Sequence, residues 1–445
     1  MRTDVLVVGG SAAGIVAGIT ARRHYAKKKI MVARQEDRVL IPCGIPYIFG
    51  TVGSPDKNLI PDKALESNGI DLCVAEVTQI DTGAKKAVTV KDDIDYEKLI
   101  LATGSIPVVP PIPGVDKDGV FAIYKDVDYL AGLQERLKEA GDVVIIGGGF
   151  IGIEFADEIK KSGVQNVTVV EMEERCLSLA YDHEFCIEME KHLSNRGVKI
   201  LTGTKVTAIK GKETVGSVTL DGGNELKADV VILGIGARAN VNLAREAGLN
   251  IAGSGSIAVD RNMKTSDDSV FACGDCAEKF SFFGGNPSPL KLASIATLEA
   301  RIAGANVYGI KRENIGTVGV WSTRVGDLAL ATAGMTEASA SAAGYEVAVG
   351  LVEGPNRHPG SMPGAQKTRM KLLFEKSSGV VLGGQVLGDA GVGEIVNTLS
   401  ACIQEKMTAE DMALFQTGTH PALTASPIAY PLVNAAEIAI AAMKS

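Results

Sequence analysis

Residues 142–152 read Asp-Val-Val-Ile-Ile-Gly-Gly-Gly-Phe-Ile-Gly. A β-branched run of this length is a strand signal, and the glycines that close it open a helical stretch reaching about Lys161. Val167–Glu171 is the next strand, which completes a βαβ unit. Gly147, Gly149 and Gly152 form a full G-x-G-x-x-G. The first glycine permits the tight turn, the second lets backbone approach a pyrophosphate, and the third lets helix and strand pack closely. The pyrophosphate then meets the free N–H groups and positive dipole end of a helix. Glu171 lies about 20 residues beyond the turn, where a carboxylate bonds a ribose 2′-hydroxyl and repels a 2′-phosphate, so NADH is expected over NADPH.

The same grammar occurs at the N-terminus. Thr3–Val8 is a strand, a helix runs to about Tyr25, and Ile30–Ala33 is a second strand. Gly9 and Gly14 match the motif, but Ser11 takes the middle position. Arg34 stands where the ribose-binding acid belongs, with Glu36 two residues on. Arg34 is expected to stack on an adenine and Glu36 to reach its ribose. Two βαβ units so far apart read as two nucleotide-binding domains, not as one six-stranded sheet.

The whole-chain figures agree. Of 445 residues, 51 are glycine, well above the roughly 7% average, and they show neither a collagen period nor the Ser/Gln/Pro company of disorder. The net charge of −8 gives no electrostatic footprint for nucleic acid. No stretch of 18 apolar residues is present, so no membrane span is expected. Seven cysteines, an odd number in a long chain, do not form a disulfide framework and fit a cytoplasmic setting. Pro107–Gly114 is a clear boundary, able to be neither helix nor central strand. Beyond about Val318 antiparallel strands are expected near 371–374 and 380–386, with helices near 392–405 and 432–443.

Further motifs make the chain resemble the FAD-dependent pyridine nucleotide–disulfide oxidoreductases. Leu101-Ala102-Thr103-Gly104 is similar to the family's ATG segment. Gly234-Ile235-Gly236-Ala237-Arg238-Ala239-Asn240 is similar to its G-x-R-P-N turn, with Ala239 for proline. Val270–Asp275 is similar to its second FAD motif, in which Asp275 would hold the ribityl or phosphate end of the flavin. The resemblance implies an α/β chain with two Rossmann-like domains and an α+β dimerisation domain. FAD would bind residues 1–112 and 246–318, and NAD residues 113–245. Residues 319–445 would pair two chains as a homodimer.

Pro42-Cys43-Gly44-Ile45-Pro46-Tyr47 narrows the function. The two-cysteine reductases of the family carry C-x₄-C, but Ile48 holds the second position here. The segment therefore resembles the single-cysteine group of coenzyme A disulfide reductases, persulfide reductases, NADH oxidases and peroxidases. A thiolate at a helix start is a lowered-pKa nucleophile, and a helix is expected from Gly44, with Pro46 tolerated in its first turn. Such a thiolate attacks a disulfide or persulfide and holds half of it. The plain alternative is a buried, inert thiol. Cys273 and Cys276 lie inside the FAD motif, which argues against a redox or metal role despite their C-x-x-C spacing; no metal site is expected.

Ala12 occupies the place where peroxidases carry a histidine, which argues against peroxide or oxygen as the main acceptor. Arg22-Arg23 match a pair that binds coenzyme A phosphates in the coenzyme A group, though a solvated helix end explains them equally well. The tyrosines of that group are replaced by Met362 and Phe415. Thr419-His420-Pro421 instead resembles the catalytic histidine segment of the two-cysteine reductases, with Ala425 where the orienting glutamate would stand. His420 is thus a candidate acid toward a leaving thiol. The expected activity passes hydride from NADH through FAD to Cys43, which reduces a disulfide, persulfide or coenzyme A derivative. The alternatives are an NADH oxidase and a flavin reductase feeding a protein carrier.

Overall fold

The computed structural model describes residues 1–444. The strand Val5–Val8 is buried along its whole length and pairs in parallel with Ile30–Arg34 on one side and Lys98–Leu101 on the other. Val270–Ala272 and Asp71–Val74 complete this five-stranded parallel sheet. Burial on both faces explains why these strands are continuous Val/Ile/Leu runs rather than alternating ones. The helix Ala12–His24 returns the chain across the sheet. The expected strand and helix ends hold to within two residues, the usual scatter of element boundaries.

The second glycine turn repeats the arrangement. Asp142–Ile146 lies between Asn166–Val170 and Val230–Leu233, with Val198–Leu201 outside, all parallel. The helix Phe150–Lys161 follows the turn. In both units the glycines sit at the carboxyl end of the central strand, where open α/β sheets bind ligands.

The C-terminal part is a five-stranded antiparallel sheet. Its order is Val320–Val325, Leu328–Gly334, Val381–Gly388, Lys367–Glu375, Val347–Pro355. The helices Val392–Gln404 and Pro431–Met443 pack on it. The alanine content of the last helix has a steric cause. A Cβ on Gly350 would lie 1.7 Å from the Ala435 carbonyl oxygen, so strand and helix meet at backbone distance. Ala435, Ala436 and Ala439 are fully buried on that face.

By packing, the chain forms two compact units. One is Met1–Pro111, Gly119–Ala140 and Ile235–Thr317; the other is Ile112–Asp118, Gly141–Gly234 and Val318–Ser445. Within the second, the buried Lys371 ammonium lies 2.9 Å from Asp182 and 2.6 Å from Glu184, and also pairs with Glu337. These are the three carboxylates whose spacing would suit a cation. The lysine fills that role and ties the helix His183–Asn195 to the antiparallel sheet.

Candidate functional site

The first glycine turn is built by exclusion. A Cβ on Gly14 would lie 1.8 Å from the Gly9 carbonyl oxygen, and one on Gly9 would lie 2.1 Å from that of Ala102. Ser11 is the N-cap of the helix Ala12–His24, yet its hydroxyl makes no capping bond and no acid lies in the first turn. The helix therefore starts with uncapped N–H groups and no competing negative charge, which fits a pyrophosphate.

Arg34 is buried, and its guanidinium forks onto Asp62 at 2.5 and 2.9 Å. It also donates to the carbonyls of Glu36 and Asp37, both at 2.8 Å. Its stem lies 2.4 Å from the place a Cβ on Gly10 would take. Arg34 thus holds the 34–37 turn in shape beneath the glycine loop, and only the face of its guanidinium is left for an adenine.

Asp275 accepts a hydrogen bond from the Ser105 hydroxyl at 2.7 Å and has Lys125 at 3.9 Å. Behind it, the amide of Gly274 is held at both ends by a buried ion pair. Glu299 accepts from the Gly274 N–H at 2.9 Å, and Lys279 donates to the Gly274 carbonyl at 2.7 Å. Lys279 and Glu299 are 3.2 Å apart, and burial pushes the Glu299 carboxyl up to about 7. Sequence reading missed this pair, because both residues read as ordinary surface charges. Thr103 donates to the Asn240 carbonyl at 2.6 Å, and the Asn240 N–H donates to Gly104 at 2.9 Å. The Thr103–Gly104 and Gly236–Asn240 motifs therefore brace each other through the paired strands Ser105–Pro107 and Ala237–Ala239.

Cys43 is exposed, and the other six cysteines are buried; all seven are free thiols. Cys73, Cys176, Cys186 and Cys402 show thiols raised by burial. Burial also raises Cys273 and Cys276, which matches their reading as packing residues. The expected helix from Gly44 is not formed. Two short 3₁₀ turns, Pro42–Gly44 and Pro46–Phe49, carry the segment instead. Each proline removes an N–H that an α-helix would use, so the chain tightens into single turns. The buried Asn58 donates to the Ile41 carbonyl at 2.9 Å, and its Oδ1 would lie 2.0 Å from a Cβ on Gly44. Gly44 is there so that Asn58 can hold the cysteine turn.

The basic helix end is largely in use. Arg22 donates to the carbonyls of Ala26, Lys28 and Gly69 at 3.0, 2.7 and 2.6 Å. It closes the end of its own helix, and the nearby Lys28 pairs with Glu97 at 2.6 Å. Arg23 and Lys27 project into solvent. The expectation of a phosphate-binding Arg-Arg pair is corrected accordingly: the geometry leaves Arg23 for that work and assigns Arg22 to the fold.

In the second unit, a Cβ on Gly152 would lie 1.9 Å from the Gly147 carbonyl oxygen, whereas one on Gly149 meets nothing within 4 Å. Gly149 is the N-cap of the helix Phe150–Lys161, with no side-chain cap and no acid in the first turn. The open space over Gly149 and the free helix start again fit a pyrophosphate. The Glu171 carboxylate accepts from the Gly148 N–H and, at 2.7 Å, from the Glu173 N–H. It is aimed across the turn, with remaining lone pairs for ribose hydroxyls. Glu154, on the helix after the turn, is a further carboxyl that sequence reading passed over. It accepts from Thr323 at 2.8 Å, and burial pushes it up to about 7.

His420 is exposed on a turn. Its ring Nδ1 accepts from the Ala422 N–H at 3.2 Å, which leaves the ring hydrogen on Nε2. That atom is the one free to donate.

Two dinucleotide-shaped turns, a braced flavin motif and one exposed thiol among buried ones define a flavoprotein oxidoreductase that uses FAD and a pyridine nucleotide. The chain belongs to the pyridine nucleotide–disulphide oxidoreductases: that family's model matches residues 3–300, and its dimerisation domain matches residues 320–428. It is 32% identical to the NAD(P)H coenzyme A polysulfide/persulfide reductase of Pyrococcus horikoshii, over 98% of both chains. It is 31% identical to an NADH oxidase of Methanocaldococcus jannaschii, also over 98% of both. Its fold is similar to that of an NAD-dependent persulfide reductase from A. fulgidus, with a TM-score of 0.91, 31% identity, and coverage of 99% of this chain and 83% of that one. No helix among the described residues is long and apolar enough to cross a membrane.

Proposed function

We propose that this chain is an NADH-dependent reductase of persulfides, polysulfides or disulfides, with coenzyme A derivatives as the leading substrate class. The observation that carries this reading is the single exposed thiol, Cys43, on a turn held by Asn58. The likeness to a coenzyme A polysulfide/persulfide reductase supports it.

The Cys43 thiolate attacks the outer sulfur of a persulfide RSSH. A new S–S bond forms to Cys43, the R–S bond to that sulfur breaks, and the leaving thiolate takes a proton from His420 Nε2. For a disulfide RSSR, Cys43 keeps one half and the other leaves as RSH. FAD held by the first glycine turn and Asp275 supplies the relay by which two electrons from NADH cleave the bond to Cys43, freeing hydrogen sulfide or the second thiol. Gly9, Ser11 and Gly14 hold its pyrophosphate, Gly147, Gly149 and Gly152 hold that of NADH, and Glu171 selects the unphosphorylated ribose. Arg23 offers a charge to a coenzyme A phosphate.

The exposed Leu414, Leu423 and Ile428 lie within or just beside the matched dimerisation region, which supports a homodimer. The free thiols support a cytoplasmic location. A second reading, reduction of oxygen, is favoured by the relative named NADH oxidase. Steady-state NADH consumption against coenzyme A persulfide, polysulfide, coenzyme A disulfide, glutathione disulfide, peroxide and oxygen separates the two. The sulfur acceptors are expected to exceed oxygen in kcat/KM by at least tenfold; oxygen consumption matching NADH with no gain from sulfur would favour the oxidase.

A further inference from the structure

The turn that carries His420 is gripped by a neighbouring segment. The His358 N–H donates to the Pro421 carbonyl at 3.2 Å, and its ring Nδ1 lies 3.2 Å from the Thr424 carbonyl. A carbonyl only accepts, so this Nδ1 carries the hydrogen. The adjoining Arg357 donates to the Leu423 carbonyl at 3.2 Å and pairs with Asp389 at 3.3 Å. Asn356 also donates to Asp389, at 2.7 Å, so the gripping segment is itself anchored. Two adjacent residues thus take up the carbonyls of Pro421, Leu423 and Thr424. Inside the turn, the His420 N–H donates to the Thr424 hydroxyl at 3.0 Å, and Ala422 fixes the ring tautomer.

A histidine used as an acid needs its ring oriented, commonly by a carboxylate on the other nitrogen. Ala425 stands where that carboxylate is expected, and no acidic side chain bonds the His420 ring among the described contacts. We propose that His358 is the positioning residue for His420, doing through the turn what a carboxylate does directly. Its ring N–H holds Thr424, Thr424 holds His420, and Nε2–H is kept available to the leaving thiol. The inference rests on the reading of His420 as the acid. Arg357 and Asp389 are the charged side chains in this network, and both stay in place in the test.

The test uses the FAD-loaded enzyme and compares His358→Ala, His358→Asn and His420→Gln. Asparagine keeps an N–H donor near the position of Nδ1. His358→Ala is expected to lower kcat with coenzyme A persulfide about tenfold, as misplacing a reacting group does, and to flatten the alkaline limb of its pH profile. The KM for NADH, the rate of flavin reduction by NADH and the melting temperature should be unchanged. His358→Asn should recover kcat to within about twofold. If His420→Gln is slow while His358→Ala keeps wild-type kcat and pH profile, the positioning role is wrong and the acid stands. If His420→Gln is not slow, the acid reading falls and the positioning role falls with it. If His358→Asn is as slow as His358→Ala, packing rather than the donated hydrogen matters, and the proposal is overturned.

Discussion

Glu171 uses both carboxylate oxygens to close the second glycine turn, so it shapes the pocket as well as recognising the ribose. Glu171→Ala is therefore expected to raise the KM for NADH about tenfold, the equivalent of one charged hydrogen bond, and to narrow the preference over NADPH; steady-state kinetics with both nucleotides check this. Glu154 supplies a prediction about pH. Burial raises it to about 7 from a usual value of 4.5. The folded state thus binds its proton more tightly than the unfolded chain does. The stabilisation is complete below about pH 4.5 and disappears as pH rises through about 7, on the order of 3 kcal/mol across the window. Denaturant midpoints at pH 4.5, 6 and 7.5 should fall more steeply for the wild type than for Glu154→Gln; parallel curves would show that Glu154 is ionised throughout. The role of Glu171 was legible from its distance to the glycines. That of Glu154 was not, because its burial depends on Thr323, more than 150 residues away.

At the scale of elements, the glycines divide into two kinds that composition cannot tell apart. Gly152 is there for packing and Gly149 for open space. Gly152→Ala drives a methyl into the Gly147 carbonyl and should cost about 1–3 kcal/mol of stability. Gly149→Ala should fold normally and lose NADH affinity. Melting curves beside NADH titrations separate the two, and equal effects on both would contradict the assignment. Both βαβ units and the late strands and helices were readable from period and turn residues, since strand burial on both faces and helix stops are local signals. The segment after Cys43 was not readable in this way. Two prolines permit a helical first turn in sequence, but Asn58 packs against Gly44 and the chain closes into separate 3₁₀ turns. Arg22 misled for a related reason: its partners are backbone carbonyls, which no side-chain pattern reveals.

For the whole molecule, a homodimer is expected to be a condition of sulfur turnover. Ile428→Asp places a charge on an exposed apolar position next to the matched dimerisation region. It should shift the sedimentation coefficient toward the monomer and reduce sulfur-dependent turnover while FAD stays bound. The central claim, that Cys43 is where electrons leave the flavoprotein for sulfur, is tested most directly by rapid mixing of NADH with FAD-loaded Cys43→Ser, followed by coenzyme A persulfide. The account predicts flavin reduction at the wild-type rate and reoxidation by the persulfide slowed at least a hundredfold, as removal of a covalent nucleophile does. Reoxidation at the wild-type rate would contradict it.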